Sequence, residues 1–253
     1  MVRKPLDFFL IGAQKSGTTA LFAKLTAHPG IVALPQKELH VFDRPDPDPA
    51  RFDRAFAGAD PALLWGEATP AYLYWPGAVE ALARYNPGAR ILVILRDPAE
   101  RALSHWKMQR ARGIEPLSFE AAISAVGRAR VRDGGDREKR LYSYVERGFY
   151  ADQIARLLRH FPRDQIAFCR TEDLLRDEAG LLARLFGFLG VEAGLRVETE
   201  KMIRPNDNAA VQVEAGAALA GLTALYGQDI RRTGALTGMA LEAWLAGPRQ
   251  ASG

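Results

Sequence analysis

Residues 6–25 read LDFFLIGAQKSGTTALFAKL: an apolar run from Leu6 to Ile11, a glycine-bracketed loop, and then a pattern of helical spacing. A run that is apolar at nearly every position fits a strand buried on both faces of a parallel sheet. Gly12 and Gly17 let the backbone turn tightly, and the N–H groups and dipole at the start of the following helix favour an anion. The segment is therefore a phosphate cradle. It is not the ordinary triphosphate loop G-x-x-x-x-G-K-[ST], because Thr18 stands where that pattern needs its lysine and Lys15 lies inside the loop instead.

Further strand-like runs occur at Ile31 to Leu34, Leu63 to Trp65, Arg90 to Leu95 and Gln165 to Cys169. Between them, helices are predicted near Gly17 to His28, Gly77 to Tyr85, Pro98 to Arg112, Phe119 to Val126, Ala151 to Phe161 and Leu174 to Leu189, the last ending at Gly190. A final helical block covers about Val211 to Tyr226, followed by a short packing helix around Leu241 and Trp244. The alternation predicts an α/β fold with a P-loop-like core, a parallel β-sheet flanked by helices. With 253 residues, 48% of them apolar and 25% charged, a single domain over residues 1–253 is expected. Two stretches read as loops. The prolines of RPDPDPARF, Arg44 to Phe52, oppose helix, and the charged Gly127 to Arg140 segment is centred on Gly134 and Gly135.

No apolar run approaches the roughly 20 residues that cross a membrane, and no secretory signal is legible, so no membrane span and a cytoplasmic home are expected. Cys169 is the only cysteine, which excludes an internal disulfide, and its setting in IAFCR predicts a buried strand thiol. The net charge of +4 suits a polyanionic ligand but is too mild to imply nucleic-acid binding.

In an open parallel sheet, ligands gather at the C-terminal ends of the strands. The first strand delivers Lys15, Ser16, Gly17, Thr18 and Thr19 to that edge, and RILVIL delivers Arg96, with Ser104 about two turns into the next helix. An arginine fork and a hydroxyl suit one phosphate. A triphosphate enzyme would place an aspartate directly after such a strand to hold Mg²⁺; arginine there favours an anion contact over a metal. Arg96 can equally pair with Asp97 or Glu100. Glu38, in LPQKELHVFD, is a carboxylate able to take a proton from an acceptor hydroxyl, although a lone glutamate is more often a solvated surface residue. His40 beside it is open to the same two readings.

GAQKSGTTAL, KELHVFD, GEATPAYL and VILRDPAERALSHW, in this order and at this spacing, resemble the sulfotransferases that use 3′-phosphoadenosine 5′-phosphosulfate (PAPS), nearest the carbohydrate branch related to the heparan sulfate enzymes. The likeness runs from about Asp7 to Phe188 and includes RGFYADQIARLLRHFP. It implies that Lys15 through Thr19 hold the 5′-phosphosulfate, with Lys15 stabilising the bridging oxygen, and that Arg96 and Ser104 bind the 3′-phosphate. It implies that Glu38 is the general base. The reaction implied is in-line, metal-independent sulfonate transfer to a hydroxyl or amine of a sugar or small-molecule acceptor, with 3′-phosphoadenosine 5′-phosphate (PAP) as product. Two features depart from the family pattern. Ala68 stands where the E-K-[ST]-P-x-Y motif carries lysine, and the glycine-rich KGR segment is absent, which makes Arg204 in KMIRPNDNA its expected substitute. A P-loop small-molecule kinase and a non-catalytic nucleotide-binding module are the alternatives. The first conflicts with Thr18 and Arg96, and the second has no need of Lys15 and Glu38.

Overall fold

The structure, a computed structural model, describes residues 4–32, 38–192 and 215–247. The chain divides into two compact units, Met1–Leu95 with Ala155–Ile203 and Arg96–Ile154 with Arg204–Gly253.

The first unit is built on β1 (Phe8–Gly12), β2 (Ile31–Val32), β3 (Leu64–Ala68), β4 (Arg90–Leu95) and β5 (Ile166–Arg170). They form one parallel sheet in the order β2-β3-β1-β4-β5. Alternate strand residues serve alternate faces. Phe8, Leu10, Leu92, Ile94, Ala167 and Cys169 are buried in one cluster with Leu21 and Leu25 of α1 (Thr18–Thr26) and Leu182, Leu185 and Leu189 of α10 (Glu178–Leu189). Phe9 belongs to an aromatic group whose ring centroids lie 6.0 Å (Phe42), 5.9 Å (Phe52) and 6.2 Å (Tyr85) away. Cys169 is buried as expected, and burial pushes its thiol up to about 12, so it stays protonated and inert.

Several helix bounds differ from the predicted ones where side chains cap the backbone, and the last long helix runs on past the predicted Tyr226 to Thr237. The block expected from Leu174 to Leu189 is instead α9 (Thr171–Arg176) and α10, because the Asp177 side chain accepts from Gly180 N at 3.0 Å and starts a new helix. The loop predicted from Arg44 to Phe52 gives way at its end to α2 (Ala50–Ala55), where Pro49 occupies the N-cap and Asp48 accepts from Ala50 N at 3.0 Å. Proline opposes helix only beyond the first turn. α3 (Ala78–Tyr85) completes this unit's helices before β4.

In the second unit, α4 (Pro98–Ala111) follows β4 in the chain. α5 (Phe119–Ile123), α6 (Ala125–Arg132) and α7 (Asp136–Tyr142) come next, then the start of α8 (Tyr150–His160) and α11 (Gly216–Thr237). The buried Asp229 carboxylate holds the N-terminus of α8, accepting from Tyr150 N at 2.8 Å and Ala151 N at 3.2 Å. Trp244, in a 3-10 turn at Glu242–Ala246, and Leu241 just before it are buried, as the packing role predicted. The Gly127 to Arg140 segment is not a loop: it is largely α6 and α7, with the break at Gly134 and Gly135. Its charges are used internally. Arg130 pairs with buried Glu115 at 2.8 and 3.2 Å, and Arg128 with Glu146 at 2.8 Å. Ser124 ends α5 and caps α6, splitting the single helix predicted there.

Gly66 sits opposite Phe8 in the β1–β3 register, and a Cβ on it would fall within the Phe8 ring. Gly66→Ala should therefore destabilise the protein by about 1–3 kcal/mol through overpacking. Urea unfolding measures this, and a midpoint equal to wild type would contradict the packing described.

Candidate active site

β1 lies centrally in the sheet, with β3 on one side and β4 on the other, and the loop leaving its C-terminal end is the one predicted to hold phosphate. Ala13 N donates to Ile94 O at 2.7 Å and Ser16 N to Ala13 O at 3.1 Å, so backbone bonds shape the loop. Thr171 Oγ1 lies 2.7 Å from Ser16 O and 3.1 Å from Leu95 O, tying the loop to the end of β4. Gly17, at φ +91°, provides the left-handed step into α1. No side chain caps α1 and its first turn holds no acidic residue, whereas Asp97 caps α4 and Asp177 caps α10. Ser16 is fully buried and its Oγ has no partner among the described residues. An uncapped helix end beside an orphaned hydroxyl suits a bound anion. Thr18 is buried and Thr19 exposed.

Among the described residues, the non-glycine residues with positive φ are Lys15 (71°), Glu38 (62°) and His40 (51°). Such conformations cost about 1–3 kcal/mol each and persist only where surrounding contacts impose them. For Glu38 and His40 those contacts come from β3 and the loop after it. Leu39 N donates to Glu67 Oε1 at 3.0 Å, His40 N to Thr69 Oγ1 at 3.3 Å and Val41 N to the Tyr72 hydroxyl at 2.8 Å. Thr69 in turn donates a short hydrogen bond to Glu67 Oε1. Leu39, Val41 and Phe42 point inward, with Phe42 stacked into the aromatic group 5.4 Å from Tyr72, which leaves Glu38 and His40 on the accessible side.

His40 lies between two carboxylates, with Nδ1 2.9 Å from Asp43 Oδ2 and Nε2 3.6 Å from Glu38 Oε2. The hydrogen bond to buried Asp43, then that to Glu38, raise its pKa from 6.5 to about 9 against the effect of burial. His40 is thus an imidazolium at neutral pH, a donor rather than a base. Glu67 lies beneath the same turn, and burial raises its carboxyl to about 7, partly offset by the hydrogen bonds from Thr69 and Leu39.

In the second unit, Arg96 pairs with Glu100 through Nε (3.1 Å) and Nη2 (2.8 Å), so the ion-pair alternative is realised within this unit. Asp97 caps α4 from Ala99 N and Glu100 N, while Ser104 is half-buried one turn before Lys107. Burial and the charge of Arg96 lower the Lys107 pKa. Arg204 lies outside the described residues. Sequence reasoning assigned no role to Asp43, Glu67 or Thr69. Asp43 was visible as the third residue after His40 within KELHVFD, and Glu67 and Thr69 within GEATPAYL.

Because the folded pKa of His40 exceeds its unfolded value, its contribution to stability is complete below about pH 6.5 and is lost as pH rises through about 9. Asp43→Asn should move the His40 NMR titration from about 9 back towards 6.5. The stability gap between wild type and variant should narrow over that window. An unmoved titration would remove Asp43 as the cause.

The family model described as the sulfotransferase domain matches residues 79–209. Human heparan sulfate glucosamine 3-O-sulfotransferase 3B1 is 31% identical over 199 residues, covering 76% of this chain and 47% of that relative. The chain spans about half the length of these curated relatives. The crystal structure of a sulfotransferase from Alicyclobacillus acidocaldarius superposes with a TM-score of 0.80 at 31% identity, covering 96% of this chain and 99% of that one. A mouse sulfotransferase complexed with PAP shares the fold at a TM-score of 0.51 and 17% identity, over 77% of this chain and 62% of that one. These matches establish that the chain belongs to the sulfotransferase family.

Proposed function

We propose that this protein transfers the sulfonate group of PAPS to a hydroxyl or amine of a sugar acceptor and releases PAP. The observation that carries the reading is the loop after β1, where Lys15 is held at φ 71° beside the orphaned Ser16 hydroxyl and the uncapped start of α1. These groups suit a 5′-phosphosulfate, and Lys15 through Thr19 are its proposed ligands. Arg96 and Ser104 are the proposed ligands of the 3′-phosphate, Arg96 exchanging its Glu100 partner for the anion, and Arg204, outside the described residues, is the proposed substitute for the family's KGR arginine. A protein of this fold carrying PAP supports the choice of nucleotide. The sugar acceptor is supported by the named substrate of the 31% identical human relative.

In the proposed step the acceptor oxygen attacks sulfur in line, the bond from sulfur to the bridging phosphate oxygen breaks, and the acceptor proton passes to Glu38. Charge grows on the bridging oxygen only as that bond breaks, so Lys15 stabilises the transition state more than the bound donor. A sulfonate carries less charge than a phosphoryl group, so a lysine and fixed N–H donors suffice without a metal ion. The His40 imidazolium, 3.6 Å from Glu38, orients that carboxylate and adds positive charge near the transferred group.

PAP should raise the melting temperature where ATP with Mg²⁺ does not, since a ligand at 100 times its Kd stabilises by about 2.7 kcal/mol. Arg96→Ala should weaken PAP by about 10–150-fold, the scale of one charge-assisted hydrogen bond, while leaving adenosine 5′-phosphosulfate nearly unaffected. Equal losses for both ligands would move Arg96 away from the 3′-phosphate.

Lys15→Ala should lower turnover at saturating donor by at least about 10²-fold. Glu38→Gln should lower transfer to a sugar hydroxyl by about 10²–10⁴-fold with PAP affinity retained. Radiolabelled sulfonate transfer to saccharides measures both, and a Glu38→Gln enzyme working at the wild-type rate would end the assignment of the base.

A further inference from the structure

We propose that Glu67 is a positioning residue: acting directly on Leu39 and through Thr69 on His40, it holds the turn that presents Glu38 to the acceptor. The inference rests on the sulfonate-transfer reading for its consequence in turnover, and on the geometry alone for the mechanical claim.

Glu67 occupies the penultimate position of β3 and is 3% exposed. Its Oε1 receives the Leu39 N–H at 3.0 Å and the Thr69 hydroxyl, and Oε2 has no partner among the described residues. Thr69 is fully buried. Because its hydroxyl hydrogen is committed to Glu67, its lone pairs face the His40 N–H, 3.3 Å away. One carboxylate oxygen therefore fixes two consecutive peptide planes, those joining Glu38 to Leu39 and Leu39 to His40. These planes flank the two residues of the turn held in the left-handed region, which side chains other than glycine rarely adopt.

A buried carboxylate is a costly way to satisfy two donors, and burial pushes this one up to about 7. The donors it takes belong to the turn and to the threonine that relays to the turn. The two donors converging on its Oε1 oppose that rise, because hydrogen bonds from Thr69 and Leu39 favour the ionised form. Asp43, also buried, acts on the His40 ring, whereas Glu67 acts on the backbone, so the two acids do separate work.

Thr69→Val keeps the side chain's shape and removes the relay, Thr69→Ser keeps the hydroxyl, and Glu67→Gln weakens the acceptor. Amide hydrogen exchange should quicken at residues 38–41 by about tenfold in Thr69→Val and Glu67→Gln, the scale of one lost hydrogen bond, with exchange in β1 and β4 unchanged. In the same variants kcat should fall by about 10²-fold, as for a reacting group misplaced by about 1 Å, while PAP affinity stays within about twofold of wild type. Thr69→Ser should restore both. Wild-type exchange rates at residues 38–41 in Thr69→Val would overturn the inference, as would faster exchange with undiminished kcat. If wild type itself transfers no sulfonate to any saccharide, the functional reading fails instead, and the exchange rates still decide whether Glu67 and Thr69 hold the turn.

Discussion

Five strands running in one direction place all their C-terminal ends along one edge, and the rest of the first unit is arranged around that edge. β1 pairs with both β3 and β4, so the loop that follows it is bordered by the ends of both strands. The Ala13 N–H reaches the Ile94 carbonyl near the end of β4, and Thr171 after β5 bonds both Ser16 of the same loop and the last residue of β4. Hydrogen bonds of this kind convert a glycine-rich segment from a flexible connection into a fixed cradle, which an anion can enter without reorganising it.

The second consequence of parallel order is that the end of β3 comes to lie under the turn at residues 38–43. Glu67, Thr69 and Tyr72 satisfy three successive backbone amides there, while Phe42 packs among aromatic rings on the sheet. Anchored backbone and buried alternate side chains leave Glu38 and His40 little choice of direction. Lys15, Glu38 and His40 all hold left-handed backbone conformations, and all three are proposed to act at the reacting centre. Strain so distributed is consistent with groups held in place before substrate arrives.

Electrostatics around the turn divides labour among three acids. Asp43 is buried and bound to His40, so it keeps the ring charged; Glu67 is buried and bound to backbone, so it keeps the turn shaped. Glu38 remains accessible, and of the three it is the one proposed to exchange a proton with an acceptor. A charged histidine beside a base would be self-defeating in a hydrolase that needs neutral imidazole. It suits the proposed reaction, in which the base is the neighbouring carboxylate and not the imidazole.

The sequence by itself determined the periodic elements, their order, and therefore a parallel α/β sheet with a glycine-bracketed loop after its first strand. Apolar runs such as RILVIL and the glycines bracketing Lys15 act locally, and local preference is what a sequence states directly. Helix breaks at Ser124 and Asp177 were less legible, because a capping side chain competes with a helical pattern that otherwise continues. What only the tertiary structure decided was how acids distant in sequence divide their work. Glu67 lies 28 residues from the amide it accepts, and nothing in either segment announces the pairing. The charge state of His40 likewise depends on the folded turn bringing its ring against the Asp43 carboxylate and then that of Glu38. Burial and proximity belong to the folded chain, so the pKa shifts and the geometry of the turn emerge only when the strands have brought these residues together.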